Sequence, residues 1–307
     1  MAGWANSSTP LFRRIFVTGG TGFLGQRVCR ELVSRGVEVH ASHHRSSPSI
    51  PELDIHWHGL DVADGSAVSS LMGHLKPEAL VHLAWNVGGD YQSSEQNEQW
   101  VAWSLKVAHE FVNAGGRHIL MAGSCAEYDW SVPVLSESSP CIPMSRYGEA
   151  KLSLSRQVLA FADRGVSVVW PRLFFLFGQG ERSDRVIPRL INDISLDRAI
   201  DWIDPDLRRD YLDADAAAAA IVHLICSGAG GIVNVASGSA PSVRELALIV
   251  ATALAKDPPA MAPLTYAGIR PAEIRADVRR LHQLGWLPSQ PVELALMMLA
   301  RSYDPGS

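Results

Sequence analysis

The sequence predicts an α/β fold, a doubly wound parallel sheet with a smaller C-terminal lobe. Three observations lead to it. Short apolar runs alternate with helical patterns as far as residue 174, a glycine cluster closes the first of those runs, and beyond Phe175 the rhythm changes as prolines recur. Alternation of this kind places a parallel sheet between two layers of helix.

The elements follow in order. FRRIFVT (12–18) ends in a short apolar strand, glycines follow, QRVCRELVSRG is a helical pattern closed by Gly36, and VEVHAS is a second strand. Strand, turn, helix and strand within about thirty residues outline a βαβ unit. Further buried strands are predicted at ALVHLAW (79–85), HILMAGS (118–124) and VSVVWPRL (166–173), with helices at 95–114 and 145–164 between them. A long helix is expected from Asp213 through the alanine run Ala216–Ala220 to Cys226, the alanines serving close helix packing. Residues 1–10 read as a flexible tail, 11–174 as the main domain, and 175–307 mainly as a second lobe, part of which returns to the sheet.

Composition narrows the function classes. The 307 residues are 47% hydrophobic and 19% charged, as in an ordinary folded enzyme. A net charge of −5, from 27 basic and 32 acidic residues, argues against a nucleic-acid partner. Cys29, Cys125, Cys141 and Cys226 are widely spaced with no metal-like pairing, which predicts reduced thiols and a cytoplasmic location. The opening MAGWANSSTP has no apolar signal core. No run of ~18 apolar residues occurs, so no membrane span is expected.

TGGTGFLG places Gly19, Gly22 and Gly25 directly after the first strand. A backbone that turns sharply and approaches a pyrophosphate needs glycine there, and the following helix N-terminus supplies N–H groups and partial positive charge. The strand before and the helix after make this a Rossmann-type dinucleotide site, with Phe23 and Leu24 in the loop. A carboxylate at the end of the second strand would favour NAD; the stretch instead reads HASHHRSS, with Ser42, His43, His44 and Arg45. A fixed cation and hydroxyl donors favour NADP(H), while NAD(H) stays possible. Asp61 and Val62 are expected to end a further strand, where an acid can meet the adenine amino group, and Leu83, Ala84 and Trp85 to line the cofactor. The histidines His40, His43, His44, His56 and His58 cross a strand end and a loop without an accompanying cysteine or carboxylate, so no metal site is expected.

SRYGEAKLSLS carries Tyr147 and Lys151 four residues apart, on one face of a helix. A free phenol titrates near ~10, and a neighbouring ammonium favours the phenolate. Tyr147 can then exchange a proton with a carbonyl oxygen that receives hydride. Ser124, at the end of a predicted strand, lies where ligands bind in such folds and can orient the same carbonyl.

TGGTGFLG, SCAEY, YGEAK and RRDYLDADAA together resemble the extended short-chain dehydrogenase/reductase family, the epimerase/dehydratase type that acts on nucleotide sugars. The resemblance runs from about Arg13 to Ala300. It implies that Ser124, Tyr147 and Lys151 are the catalytic residues and that Tyr128 closes the serine motif. It also implies that Arg209 contacts a substrate diphosphate, with Arg270 as a second phosphate-binding arginine, and that the protein is a homodimer paired through the helices at 95–114 and 145–164.

Within that family, dehydratases carry an Asp-Glu pair where this chain has Cys125 and Ala126, and neither can do acid–base work. The NADP-leaning loop fits a dissociable hydride donor better than the tightly held NAD of a 4-epimerase. LAWNVGGDY, GSCAEYDW and LFFLFGQGE look most like reductases of nucleotide-linked 4-keto-6-deoxysugars. Two positions depart from the family pattern: Phe175 stands where an asparagine touches the diphosphate, and the asparagine after LAW is blurred into QNEQWVAWSL. Trp85, Trp100, Trp103 and Phe174 are core residues or the wall of an apolar sugar pocket. A 4-epimerase, a reductase of a non-sugar ketone or aldehyde, and a non-catalytic NADP-sensing protein are the rival readings.

Overall fold

A computed structural model describes residues 12–44, 50, 53–262 and 271–303. Residues 1–10, Arg45 and Arg270 lie outside the described residues. The chain opens with β1 (Arg14–Thr18), α1 (Gly25–Ser34), β2 (Glu38–His43), β3 (Ile55–Gly59), α2 (Gly65–Leu75), β4 (Ala79–His82), α3 (Gln96–Asn113) and β5 (His118–Met121). Short strands β6 (Gly123–Ser124) and β7 (Val134–Leu135) precede α4 (Arg146–Leu159), β8 (Ser167–Leu173), β9 (Phe175–Phe177) and α5 (Val186–Ser195). After β10 (Arg208–Arg209) and β11 (Tyr211–Asp213) come α6 (Ala214–Cys226), β12 (Gly231–Val235) and α7 (Val243–Ala253). The described chain ends with β13 (Glu273–Ala276), α8 (Arg279–Gln283) and α9 (Val292–Arg301). The alanine helix therefore lies where the sequence places it.

The main sheet runs β12-β8-β5-β4-β1-β2-β3, with β6 paired to β8. From β3 through β1 and β4 to β8 the neighbours pair in parallel. Strand order reverses between β1 and β4, the place where a doubly wound sheet opens a crevice at its carboxyl edge. The fold class expected from the alternation is thus the one observed.

The chain divides into two interleaved compact units. One compact unit holds residues 1–123, 145–171 and 221–232; the other holds 124–144, 172–220 and 233–307. In the first, Phe16, Leu80, Ile119, Val168 and Trp170 from the sheet pack with Met72, Val107, Phe111, Leu154 and Val158 from α2, α3 and α4. Residues in β1 alternate in direction, so Ile15 and Val17 bury their side chains on the opposite face from Phe16.

The second unit has two apolar clusters. Ile187, Leu190, Ile191 and Ile194 of α5 meet Leu246, Val250, Ala295 and Leu296 of α7 and α9. The other surrounds Tyr128, with Leu135, Phe174, Ile274 and Ala276. Beside it, Arg172 and Glu127 form an ion pair at 2.7 Å with both side chains almost fully buried. Glu127 also accepts from Ser124 N at 2.8 Å, and the Arg172 guanidinium lies 4.2 Å from the Tyr128 ring centre.

A buried pair that loses one member leaves a charge without compensation, at a cost of about 3–5 kcal/mol. Glu127→Ala is expected to lose that much in urea denaturation, and Glu127→Leu combined with Arg172→Met to regain most of it. The buried His82 ring lies between Thr18 Oγ1 at 2.8 Å and Ser104 Oγ at 2.9 Å. Burial, reinforced by the charge of Lys151, holds its pKa down at about 3. The unfolded chain then takes up a proton near pH 6.5 that the folded one refuses, so stability falls as pH drops from there toward 3. Denaturation curves across this range are expected to be steeper in wild type than in His82→Asn by ~1.4 kcal/mol per pH unit.

Candidate active site

The glycine turn takes its shape from close backbone contact. Gly19 has φ +69°, a left-handed value, and Gly22 N donates to Gly19 O at 3.0 Å. A Cβ on Gly25 would come within 2.0 Å of Gly19 O, so only glycine lets α1 begin there. Phe23 and Leu24 lead into the helix, Leu24 as its N-cap residue without a side-chain cap. Among the described residues, the first turn of α1 holds no acid, leaving its positive end to an anion.

Ser42 is buried; its Oγ accepts from Gly19 N at 3.2 Å while its carbonyl accepts from Gly20 N at 3.0 Å. The hydroxyl therefore supports the glycine turn from below. His43 packs edge-on to Trp57, with ring centres 6.5 Å apart. His44 is exposed and 3.5 Å from Asp61. Strand β3 ends at Gly59, two residues before Asp61, correcting the expected strand end. Asp61 Oδ1 accepts from Ala63 N at 2.9 Å, whereas Val62 is a core residue.

Across the crevice, Thr18 Oγ1 receives Leu83 N at 3.2 Å and Ala84 N at 3.3 Å. Trp85 follows. Its indole donates to Asn97 Oδ1 at 3.0 Å and stacks on Trp100, with ring centres 5.8 Å apart. Asn97 is buried and donates to Tyr91 O and Ser94 O. The blurred asparagine region thus contains a structural asparagine that fastens the loop between β4 and α3. Trp103 sits edge-on to Trp100 at 5.2 Å. A cavity of ≈ 250 Å³ opens beside this stack, lined by Asn86, Asp90, Tyr91, Ser94, Asn97 and Trp100 among others.

Tyr147 and Lys151 stand on α4, whose N-terminus is capped by Ser145 Oγ accepting from Gly148 N at 3.1 Å. Tyr147 is flanked edge-on by Tyr91 at 5.0 Å and by Trp85 at 6.1 Å. Lys151 is only 4% exposed. Its Nζ donates to Ala122 O at 2.9 Å, lies 3.7 Å from the Trp85 ring centre and 5.8 Å from that of Tyr147. A carbonyl and an indole face both favour the charged ammonium and fix it beside the phenol ring. The four-residue spacing read from the sequence therefore does bring the two side chains together.

In the other unit, Ser124 starts a tight turn as its cap. Its Oγ accepts from Ala126 N at 3.1 Å, a bond that leaves the hydroxyl hydrogen for another acceptor. Cys125 is buried and its thiol is pushed up to about 12, so it is no nucleophile; its carbonyl takes the Trp130 indole N–H at 2.8 Å. Tyr128 closes the motif by donating to Asn234 Oδ1 at 2.6 Å. Arg209 and Phe175 are neighbours, with the guanidinium 5.8 Å from the ring centre. Arg209 is 6% exposed and donates through Nη1 to Arg208 O and Pro271 O. Between them Asp210 accepts from Ser237 N, Ser237 Oγ, Gly238 N and Ala276 N, and its burial raises the carboxyl to about 6. Sequence reasoning missed the structural roles of Asp210, Asn97, His82, Glu127 and Arg172; His82 and Arg172 stand in apolar runs, whereas Asn97 and Asp210 stand among other polar residues, where nothing marks them.

The histidines of β2 and β3 correct a second expectation. Glu38 is the carboxylate that the sequence reading found lacking: its Oε1 lies 2.9 Å from His40 Nε2, and Arg14 Nε donates to it at 2.6 Å. Hydrogen bonds from Arg14 and His40 hold Glu38 down at about 2, while burial lowers His40 and His58 and keeps both rings neutral.

Comparison with known proteins agrees with the fold. The family model described as NAD dependent epimerase/dehydratase family matches residues 15–236. A dTDP-6-deoxy-L-talose 4-dehydrogenase (NAD(+)) from Aggregatibacter actinomycetemcomitans is 25% identical over 75% of this chain and 86% of its own. A UDP-glucose 4-epimerase from Azospirillum brasilense is 26% identical over 90% and 87%. The crystal structure of UDP-glucose 4-epimerase from Thermotoga maritima, with UDP-glucose, has the same fold. It superposes with a TM-score of 0.84 at 21% identity, covering 94% of this chain and 97% of that one. With its Rossmann-type sheet and paired tyrosine and lysine, the chain belongs to the NAD dependent epimerase/dehydratase family and is an enzyme of the NAD(P)-dependent oxidoreductase or epimerase kind.

Proposed function

We propose that this enzyme is an NADPH-dependent reductase of a nucleotide-linked 4-keto-6-deoxysugar. The observation that carries the reading is Lys151, buried, charged and held beside Tyr147 by Ala122 O and the Trp85 ring. The glycine turn fits a dinucleotide, because Gly25 removes the Cβ that would close it. When bound there, the cofactor supplies hydride to the substrate ketone. Tyr147 delivers the proton to the oxygen that becomes the alcohol, and Lys151 lowers the cost of the phenolate left behind. Ser124 donates a hydrogen bond from its hydroxyl to that oxygen, and Arg209 with Arg270 holds the diphosphate. Cys125 and Ala126 offer no acid or base for dehydration.

The preference for NADPH rests on the acid-free end of β2, on Arg45 and on Ser42, whose Oγ accepts from Gly19 N and keeps its hydroxyl hydrogen as a donor. The deoxysugar relative named above supports redox chemistry at sugar carbon 4, although its own name gives NAD(+). The epimerase relative favours a second reading, a nucleotide-sugar 4-epimerase that retains its NAD.

Fluorescence titration with NADPH and NADH separates the two. At least tenfold tighter NADPH binding, about 1.4 kcal/mol, is expected, with protein purified free of nucleotide. Co-purified NAD and equal affinities would establish the epimerase instead. With the cofactor settled, Tyr147→Phe is expected to cut turnover of a 4-keto-6-deoxysugar nucleotide by roughly 10²–10⁴-fold while leaving the NADPH Kd within a factor of about three. Turnover near the wild-type rate in that variant would remove Tyr147 from the mechanism.

A further inference from the structure

Histidines and a carboxylate gather on one face of β2 and β3, at the edge of the sheet. Parallel pairing sets His40 opposite His56 and Ser42 opposite His58, and period-two alternation puts Glu38 on the face of His40 and His58 on the face of His56. The His40 ring stacks on His56, with centres 4.6 Å apart and planes at 21°, and on His58 at 5.2 Å and 16°. His40 Nδ1 is 2.9 Å from His58 Nε2, and His40 Nε2 is 2.9 Å from Glu38 Oε1. One donor atom each from Glu38, His40 and His56 lies within 4.8 Å of the others.

Hydrogen bonding alone accounts for only part of this arrangement. Arg14, Glu38, His40 and His58 form a continuous relay, but His56, exposed and stacked in register beside His40, takes no part in it. Two imidazoles and a carboxylate form a set of borderline and hard donors that suits zinc and its neighbours, with zinc–ligand bonds of about 2.0–2.2 Å.

We propose that Glu38, His40 and His56 bind one divalent transition-metal ion of the zinc type, linking the edge strand β3 to β2 at a site separate from the glycine turn and from Tyr147. His40 coordinates through Nε2, whose hydrogen bond to Glu38 is given up. Its hydrogen then resides on Nδ1 and is donated to His58 Nε2, and His58 carries its own hydrogen on Nδ1. No net proton change on the two rings is required. An imidazole that binds metal through one nitrogen and donates through the other is the common arrangement around protein zinc. Arg14 holds Glu38 in place from behind, at 2.6 Å. The metal closes a link across two neighbouring strands and stabilises the folded state by mass action.

The test uses the full chain, stripped with a chelator and titrated with ZnCl2 by calorimetry and with CoCl2 by visible absorption. One site per chain is expected, with a Kd in the micromolar range or tighter, a d–d spectrum of low-symmetry Co2+, and a Zn2+-dependent rise in Tm. His56→Asn changes an exposed residue and keeps the metal-free Tm; it is expected to weaken Zn2+ at least tenfold and abolish the Tm rise. Glu38→Gln should weaken Zn2+ by a similar factor, and NADPH affinity should be unchanged in the His56→Asn protein. No stoichiometric binding would overturn the proposal, as would Zn2+ affinity that both variants leave at the wild-type value.

Discussion

Thr18 has one hydroxyl, and much of the first unit is arranged around it. Its oxygen receives the N–H groups of Leu83 and Ala84 and lies against His82 Nδ1. The end of β1 is thereby tied to the end of β4, where strand order reverses and the sheet opens. Gly19 follows immediately with its left-handed φ, and a Cβ there would meet Ala84 N at 2.9 Å. From His82 the chain of contacts continues to Ser104 on α3. The shape of the turn, the direction of the β4 end and the seating of Trp85 beside Lys151 follow from this small buried polar group. An apolar residue at position 18 would leave the Ala84 amide without that acceptor, while Leu83 N would keep the Thr18 carbonyl.

In the second unit, buried carboxylates organise the backbone. Glu127 links Ser124 N to Arg172, and Arg172 lies over the Tyr128 ring. Asp210 gathers the amides of Ser237, Gly238 and Ala276. Each carboxylate fixes the backbone near a residue with an assigned chemical role, Ser124 in one case and Arg209 in the other. Rigid support of this kind is what places a hydroxyl or a guanidinium accurately.

What the sequence made legible was governed by local rules. Glycine at 19 and 25 is dictated by sterics, the spacing of Tyr147 and Lys151 by helix period, and the alanine helix α6 by propensity. Less legible were residues whose partners come from another strand. Ser42 reads from the sequence as a ligand donor, and only its register beside Gly19 reveals the support. Asp61 falls beyond the end of β3 because hydrophobic pattern does not mark where pairing stops. Glu38 is two residues from His40, a spacing that alternation places on one face; the reading failed because the histidines were seen as crossing a strand end into a loop. Arg209 illustrates a different gap: its motif identifies it, but the carbonyls that orient it come from residues 208 and 271.

The interleaving of the two units has a consequence for biosynthesis. The sheet-bearing unit takes its last segment from residues 221–232, after the chain has already entered and left the other unit. A nascent chain emerging from the ribosome with residues 1–174 carries β1 to β5 and β8 but neither the end of α6 nor β12. On β8 the main sheet order places β12 outermost, so the flank of β8 that β12 will occupy waits until residues 231–235 have been made. An unpaired apolar strand is the surface that other chains add to. Completion of the first unit's sheet therefore waits for a segment made after residues 172–220 of the other unit, and truncation near residue 174 is expected to leave that flank of β8 open.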